Sequence, residues 1–184
     1  MNVKVIISLV LCLSLLGGLF IFAQSEKKQD DFGMEFLRIH IRANSNDAAD
    51  QDVKYEVKDK VVQYLTPFLC NATNKSAAIQ IVNSKIEDIQ KVADNVLKEH
   101  GFCYKSKGEL KKETFPTRTY DNLTLPAGVY DSFILNLGEG AGNNWWCVVY
   151  PPLCFVNNDN STNVVYKSKL IDIINSFWRR TNAN

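Results

Sequence analysis

The 184-residue sequence has only two histidines, and neither sign of charge prevails: 21 Lys and Arg stand against 20 Asp and Glu. With Lys4 set aside as the one cation of an apolar leader, the two signs are equal. A body without a net field is not drawn to a polyphosphate, and no basic run or nucleic-acid-reading motif is present, so nucleic-acid binding is excluded as the main task. His40 and His100 are the histidines, and neither lies near a nucleophile motif such as G-x-S-x-G, which leaves a catalytic triad unsupported. No C-x-x-C or His-Cys cluster occurs, so no metal site is expected, and no cofactor. No pair of carboxylates stands at a telling distance. Internal repeats are missing too. The 46% of hydrophobic residues rules out a highly charged disordered chain.

What is present begins with a leader. Val5 to Ala23 carries no charge, and only Ser8, Ser14, Gly17 and Gly18 interrupt its apolar run. Lys4 ahead of it and QSEKKQDD behind it read as an export signal. The run is also just long enough to cross about 30 Å of hydrocarbon as a helix. With bulky Ile21 two residues before the possible cleavage point, a removed signal peptide and a retained membrane anchor both remain open. Either way, residues 1–23 place the rest of the chain outside the cytoplasmic membrane, with membrane contact through this segment. Residues 24–35 form a polar linker.

Five cysteines fit that placement. Cys12 lies inside the leader, and the other four allow three fully paired connectivities. Cys147 and Cys154 bracket VVYPPL, which can fold back at Pro151-Pro152; a bridge there and two free, half-buried thiols are both open. Cys70–Cys103 would join a helix end to a strand start.

From Phe36 the pattern alternates, with Leu37, Ile39 and Ile41 on one face of a strand and Arg38, His40 and Arg42 on the other. ANSND supplies a turn and cap candidates. Val53, Val57, Val61 and Leu65 then stack along one helix face, with Asp52, Lys54, Glu56, Lys58 and Asp59 opposite and Pro67 limiting the end. Ser76 is a cap candidate for a second helix striped by Ile79, Val82, Ile86, Ile89, Ala93, Val96 and Leu97, and Gly101 is its stop. Glu87/Lys91 and Asp94/Lys98 sit one turn apart. Phe102 and Tyr104 begin a strand, Gly108 marks a turn, and Leu110 to Phe115 form another. A stronger strand puts Val129, Asp131, Phe133, Leu135 and Leu137 on one face, with Tyr130, Ser132, Ile134 and Asn136 on the other. Trp145 to Tyr150 reads as a short apolar strand of the buried kind. The class is α+β: a strand and two helices, then a mainly antiparallel small sheet, across a domain of residues 36–156. A linker, 157–163, and a C-terminal helical segment, 164–184, follow.

The least ordinary stretch is LNLGEGAGNNWWCVVYPPLCF. Gly138, Gly140 and Gly142 allow tight turns and close approach to a ligand, but no Lys-Ser/Thr follows to complete a phosphate cradle. Glu139 stands between two glycines at a loop tip. Trp145 and Trp146 point to opposite sheet faces, one toward the core and one toward the other face or a partner.

Four motifs in order, LRIHIRANSNDAADQDVKYEVKD, FPTRTY, LPAGVYDS and GEGAGNNWWCVVYPPLCF, resemble stage II sporulation protein R of endospore-forming bacteria. The likeness runs from about Phe36 to Phe155. Its matching positions are Ala43, Asn44, Ser45, Asp50 and Gln51; then Phe115, Pro116, Thr117, Tyr120, Pro126, Ala127 and Gly128. The last block matches at Gly138, Glu139, Gly140, Gly142, Asn144, Trp145, Trp146, Cys147, Pro151, Pro152, Cys154 and Phe155. Asp121 departs from an expected glycine, and Ile134 from a common basic residue. The resemblance implies a non-enzymatic signalling protein, secreted from the forespore into the space between the sporulation membranes. Its implied partner is a membrane-embedded aspartic protease of the mother cell that processes pro-sigma-E. Glu139, Gly140, Asn144, Trp145 and Trp146 are the expected contact residues. The competing expectation is an exported cell-wall hydrolase or wall-binding module using the Glu139 loop.

Overall fold

The computed structural model describes residues 36–120 and 123–155. The leader and the C-terminal segment, with the helix expected in each, lie outside the described residues. The alternation that begins at Phe36 does form a strand, β1 (Leu37–Arg42), followed by two helices, α1 (Ala48–Leu69) and α2 (Lys75–Glu99). Then come β2 (Ser106–Phe115), the short β3 (Arg118–Tyr120) and β4 (Leu123–Leu125), β5 (Gly128–Leu137), β6 (Asn144–Tyr150) and a 3-10 turn at Leu153–Phe155. Four strands make one sheet in the order β2-β5-β1-β6, while β3 and β4 pair only with each other. β1 runs parallel to β5 and antiparallel to β6, and β2 is antiparallel to β5. The class is thus α+β with a mainly antiparallel sheet, and the first strand sits inside that sheet rather than ahead of it.

Both helices cover one face. Leu37, Ile39 and Ile41 of β1 and Phe133, Leu135 and Leu137 of β5 meet Val57, Val61 and Leu65 of α1 and Val82, Ile89 and Ala93 of α2 in the larger core. The expected stripes therefore do the packing. Lys54 does not keep to the solvent side assigned to it: it is buried, because its amine is needed in the loop beyond the sheet's end. Pro67 lies inside the last turn of α1, where it removes one helical hydrogen bond, and the helix ends two residues later at Leu69, near the limit expected. Asn74, not Ser76, caps α2: its extended backbone lets the side chain accept from the Ala77 amide at 2.8 Å. Gly101 stops α2 as expected, at φ 80°, with Phe102 N donating back to Leu97 O. On the surface, Asp88 pairs with Lys85 and Lys91, while Asp94 turns inward to accept from the Ser106 amide and hydroxyl.

Gly108 is not a turn. It lies within the continuous β2, where a Cβ would stand 2.9 Å from the Phe133 ring and 3.3 Å from Ile86, so glycine is the residue that lets strand and core meet. β6 is apolar yet lies at the sheet edge, since both of its faces are covered although only one of its sides is paired.

Cys147 and Cys154 form a disulfide, which closes β6 against the turn that follows it. Cys70 is buried and Cys103 exposed, and the two do not pair, since the first packs in the core while the second faces water. No helix among the described residues is long and apolar enough to cross a membrane. Chain entropy sets the value of the short disulfide loop: Cys154→Ala, or reduction, lowers unfolding free energy by about 2–3 kcal/mol, measurable as a urea midpoint shift with and without reductant.

Candidate functional site

The glycine-rich loop between β5 and β6 is held along its whole length. Six consecutive amides have acceptors: Gly138 N on Lys105 O, Glu139 N on the Asn44 side chain, Gly140 N on Leu137 O, Ala141 N on Asn44 O, Gly142 N on Ala43 O and Asn143 N on the Asn46 side chain. The ANSN turn after β1 is thus the mould of the GEGAGN loop. Gly142 presses so close to that turn that a Cβ would fall 2.0 Å from Ser45 O, and at Gly138 one would fall 2.2 Å from Asn44 Oδ1. The close approach expected of these glycines is to the chain's own turn, to a side chain at Gly138 and to backbone at Gly142.

The start of α1 braces the mould. Asn44 Nδ2 donates to Asp50 Oδ2 at 2.9 Å, and the Tyr104 hydroxyl donates to Asp50 Oδ1 at 2.6 Å. Gln51 donates to Ser45 O, and the Lys54 amine donates to both Gln51 Oε1 and Asn143 O. Burial works against the Asp50 carboxylate, but hydrogen bonds from Ser45, Tyr104 and Asn44 outweigh it and hold its pKa below the ordinary range. The matching positions Ala43, Asn44, Ser45, Asp50 and Gln51 therefore converge on Gly138, Glu139, Gly140 and Gly142, a convergence that 95 residues of separation hide in the sequence.

Above this base, Glu139 is exposed, and its side chain makes no hydrogen bond or ion pair among the described residues. Asn143 and Asn144 are exposed, and Gly140 half-buried. Trp145 and Trp146 do face opposite sides of β6, and both are half-buried. Trp145 lies on the helix side, with the Lys58 amine 5.8 Å from its ring. Trp146 lies on the other side, stacked on the His40 ring at 3.6 Å and edge-on to Phe115. The expected site residues are neighbours along one loop and strand start, and Cys147–Cys154 anchors the strand beyond them.

The face away from the helices was legible only as a row of polar residues. Arg38 and His40, read from the alternation as a polar face, are 0% and 1% exposed. A second core of Phe36, Phe115, Leu125, Tyr130 and Val148 surrounds them, with Tyr120, Trp146 and Leu153 at its margin. His40 Nδ1 bonds Glu113 at 2.7 Å, and Arg42 pairs with the other oxygen of the same carboxylate. Burial pushes the His40 imidazole below its ordinary pKa, outweighing the support of Glu113 and Asn144 for the charged form. The clue was available: Phe115 and Tyr130 alternate onto that face. Among the described residues no three His, Cys, Asp or Glu side chains converge as a metal site would need.

Together these features define a class: an α+β domain with a paired-helix layer on one sheet face, an aromatic-cation cluster on the other and a moulded loop at the sheet's end. A family model described as stage II sporulation protein R matches residues 33–160. Stage II sporulation protein R of Bacillus subtilis (strain 168) is 32% identical over 170 residues, covering 89% of this chain and 76% of that protein. No solved structure matches the chain. The chain belongs to the stage II sporulation protein R family, which gives it a role in sporulation.

Gly142→Ala forces the turn and loop apart and lowers Tm by several degrees, whereas Ala141→Gly, at the neighbouring exposed residue, costs far less; differential scanning calorimetry separates them. Asp50 contributes stability that is present above the unfolded carboxyl pKa of about 3.9 and is lost as pH falls through the lower folded value. Asp50→Asn is expected to lower stability at pH 7 and to flatten the acid limb below about pH 4, read by urea unfolding across pH.

Proposed function

We propose that the chain is an exported signalling protein of endospore formation and acts by contact, without catalysing a reaction itself. It leaves the forespore through its leader, reaches the space between the two sporulation membranes, and activates a membrane-embedded aspartic protease of the mother cell. That protease then processes pro-sigma-E. Family membership supports the sporulation role, and the uncharged run Val5–Ala23 supports export, whether it is removed or kept as an anchor.

The observation that carries the contact surface is the moulded loop: Glu139, Gly140 and Asn144 stand on a backbone whose amides are all bonded, next to Trp145 and Trp146. A ligand activates a receptor only through its preference for the active state. Moving a receptor from 1% to 99% active needs about 5.5 kcal/mol of such preference. A surface ordered before contact spends little of its interaction energy on ordering. Trp145 contributes contact area, while Trp146, wedged between His40 and Phe115, keeps the strand start in place. A hydrolase reading has less support, since Glu139 is exposed and, among the described residues, its side chain makes no hydrogen bond or ion pair, whereas acid-base work calls for burial beside a second titratable group.

Co-expression of the chain, the protease and its sigma precursor in a non-sporulating host tests the proposal. Precursor processing is expected with the leader and lost without it. Trp145→Ala abolishes processing while exported protein persists at its usual level, and Glu139→Gln weakens processing only in part. Processing unaffected by Trp145→Ala contradicts the contact surface, and complete loss with Glu139→Gln favours acid catalysis.

A further inference from the structure

The sheet face away from the helices carries a cation that meets no acid among the described residues. Arg38 is wholly buried, its guanidinium carbon 4.1 Å from the centre of the Phe115 ring and 4.9 Å from that of Tyr130. Nη2 donates to the Tyr120 hydroxyl at 2.6 Å, while Nε and Nη1 have no hydrogen-bond partner. Among the described residues no carboxylate pairs with it: Glu113 is engaged by His40 and Arg42, and Glu109 by Lys111. Arg118 adds repulsion rather than relief. Ring faces offset part of the desolvation of a guanidinium, but they do not replace the donors' lost partners.

The group that closes this site comes from outside the main sheet. Tyr120 belongs to β3, and β3 pairs with β4 alone, outside the four-stranded sheet. Its hydroxyl is a neutral acceptor standing where an anionic oxygen would bond more strongly.

We propose that Arg38, with Phe115, Tyr130 and Tyr120, forms a binding site for a carboxylate, admitted when the Tyr120 side chain gives way. A guanidinium presents planar paired donors that match the two oxygens of a carboxylate, and the surrounding rings accept an apolar stem behind it. The carboxylate belongs either to an acidic side chain or to a chain's C-terminus. The site shares no residue with the Glu139 loop and stands or falls independently of the activation proposal.

Thermal melts of the full chain in sodium acetate, against sodium chloride at equal ionic strength, test it. Acetate is expected to raise Tm by several degrees above chloride. Arg38→Met keeps the length and apolar contact of the side chain without its charge. It is expected to melt at or above the wild-type temperature in chloride and to lose the acetate response. Tyr120→Phe removes the placeholder hydroxyl, so it melts lower in chloride and gains more from acetate than wild type. Two peptides separate the sources: an amidated peptide with an internal Glu, and its Gln counterpart with a free C-terminus. Either one raising Tm in wild type but not in Arg38→Met supports the site and names the source. The proposal is overturned if acetate does no more than chloride, or if Arg38→Met keeps the response. Should Arg38→Met fail to fold, equal acetate responses in wild type and Tyr120→Phe overturn it.

Discussion

The hydrogen bonds that the amides of the Gly138–Asn143 loop donate to the Ala43–Asn46 turn are the constraint on which the rest of the site depends. Each loop amide would otherwise need water or would cost stability unmet, and three glycines would otherwise leave the segment free to wander. The turn supplies two carbonyls and two side-chain oxygens in the spacing the loop requires. Because Asp50, Gln51 and Lys54 hold the turn from the first helix, the loop inherits the rigidity of the helix-sheet core.

The position of β1 explains both sides of the molecule. As a central strand it has neighbours on either edge, and both of its faces are covered. On the helix side this makes an ordinary aliphatic core. On the other it buries Arg38 and His40 beneath rings contributed by β2, β5 and β6. Glu113 meets His40 and Arg42, so one carboxylate serves two cationic or titratable groups, and Arg38 is left to the aromatic rings. The same strand, continued by four residues, forms the turn that moulds the loop.

How much of this was legible differed by range of interaction. The helices, their apolar stripes and the face assignment of β5 follow from local periodicity, which Val53, Val57, Val61 and Phe133, Leu135, Leu137 carry plainly. The Cys147–Cys154 bridge lay within a span short enough to weigh. The rest depends on partners distant in sequence. Gly108 looked like a turn because its real reason, the Phe133 ring, stands on another strand. Lys54 and Arg38 looked solvent-facing because alternation shows which face a residue takes but not what covers that face. The glycines of the GEGAG motif allowed close approach to a ligand, and only the fold shows that Asn44 and Ser45 fill that space. Asn44 and Gly138 were both picked out by the family motifs, yet nothing in their spacing joined them.

A moulded loop gives a family motif of glycines and an asparagine a physical reason: its residues make a surface stiff, and the proposed contact residues stand on it. Hydrogen exchange at the amides of Glu139, Ala141, Gly142 and Asn143 measures that stiffness directly. These amides are expected to exchange as slowly as those of the neighbouring strands, opening only with larger unfolding of the sheet. Exchange at the rate of an unstructured peptide would contradict the account, since the loop would then be flexible and its surface unformed before contact.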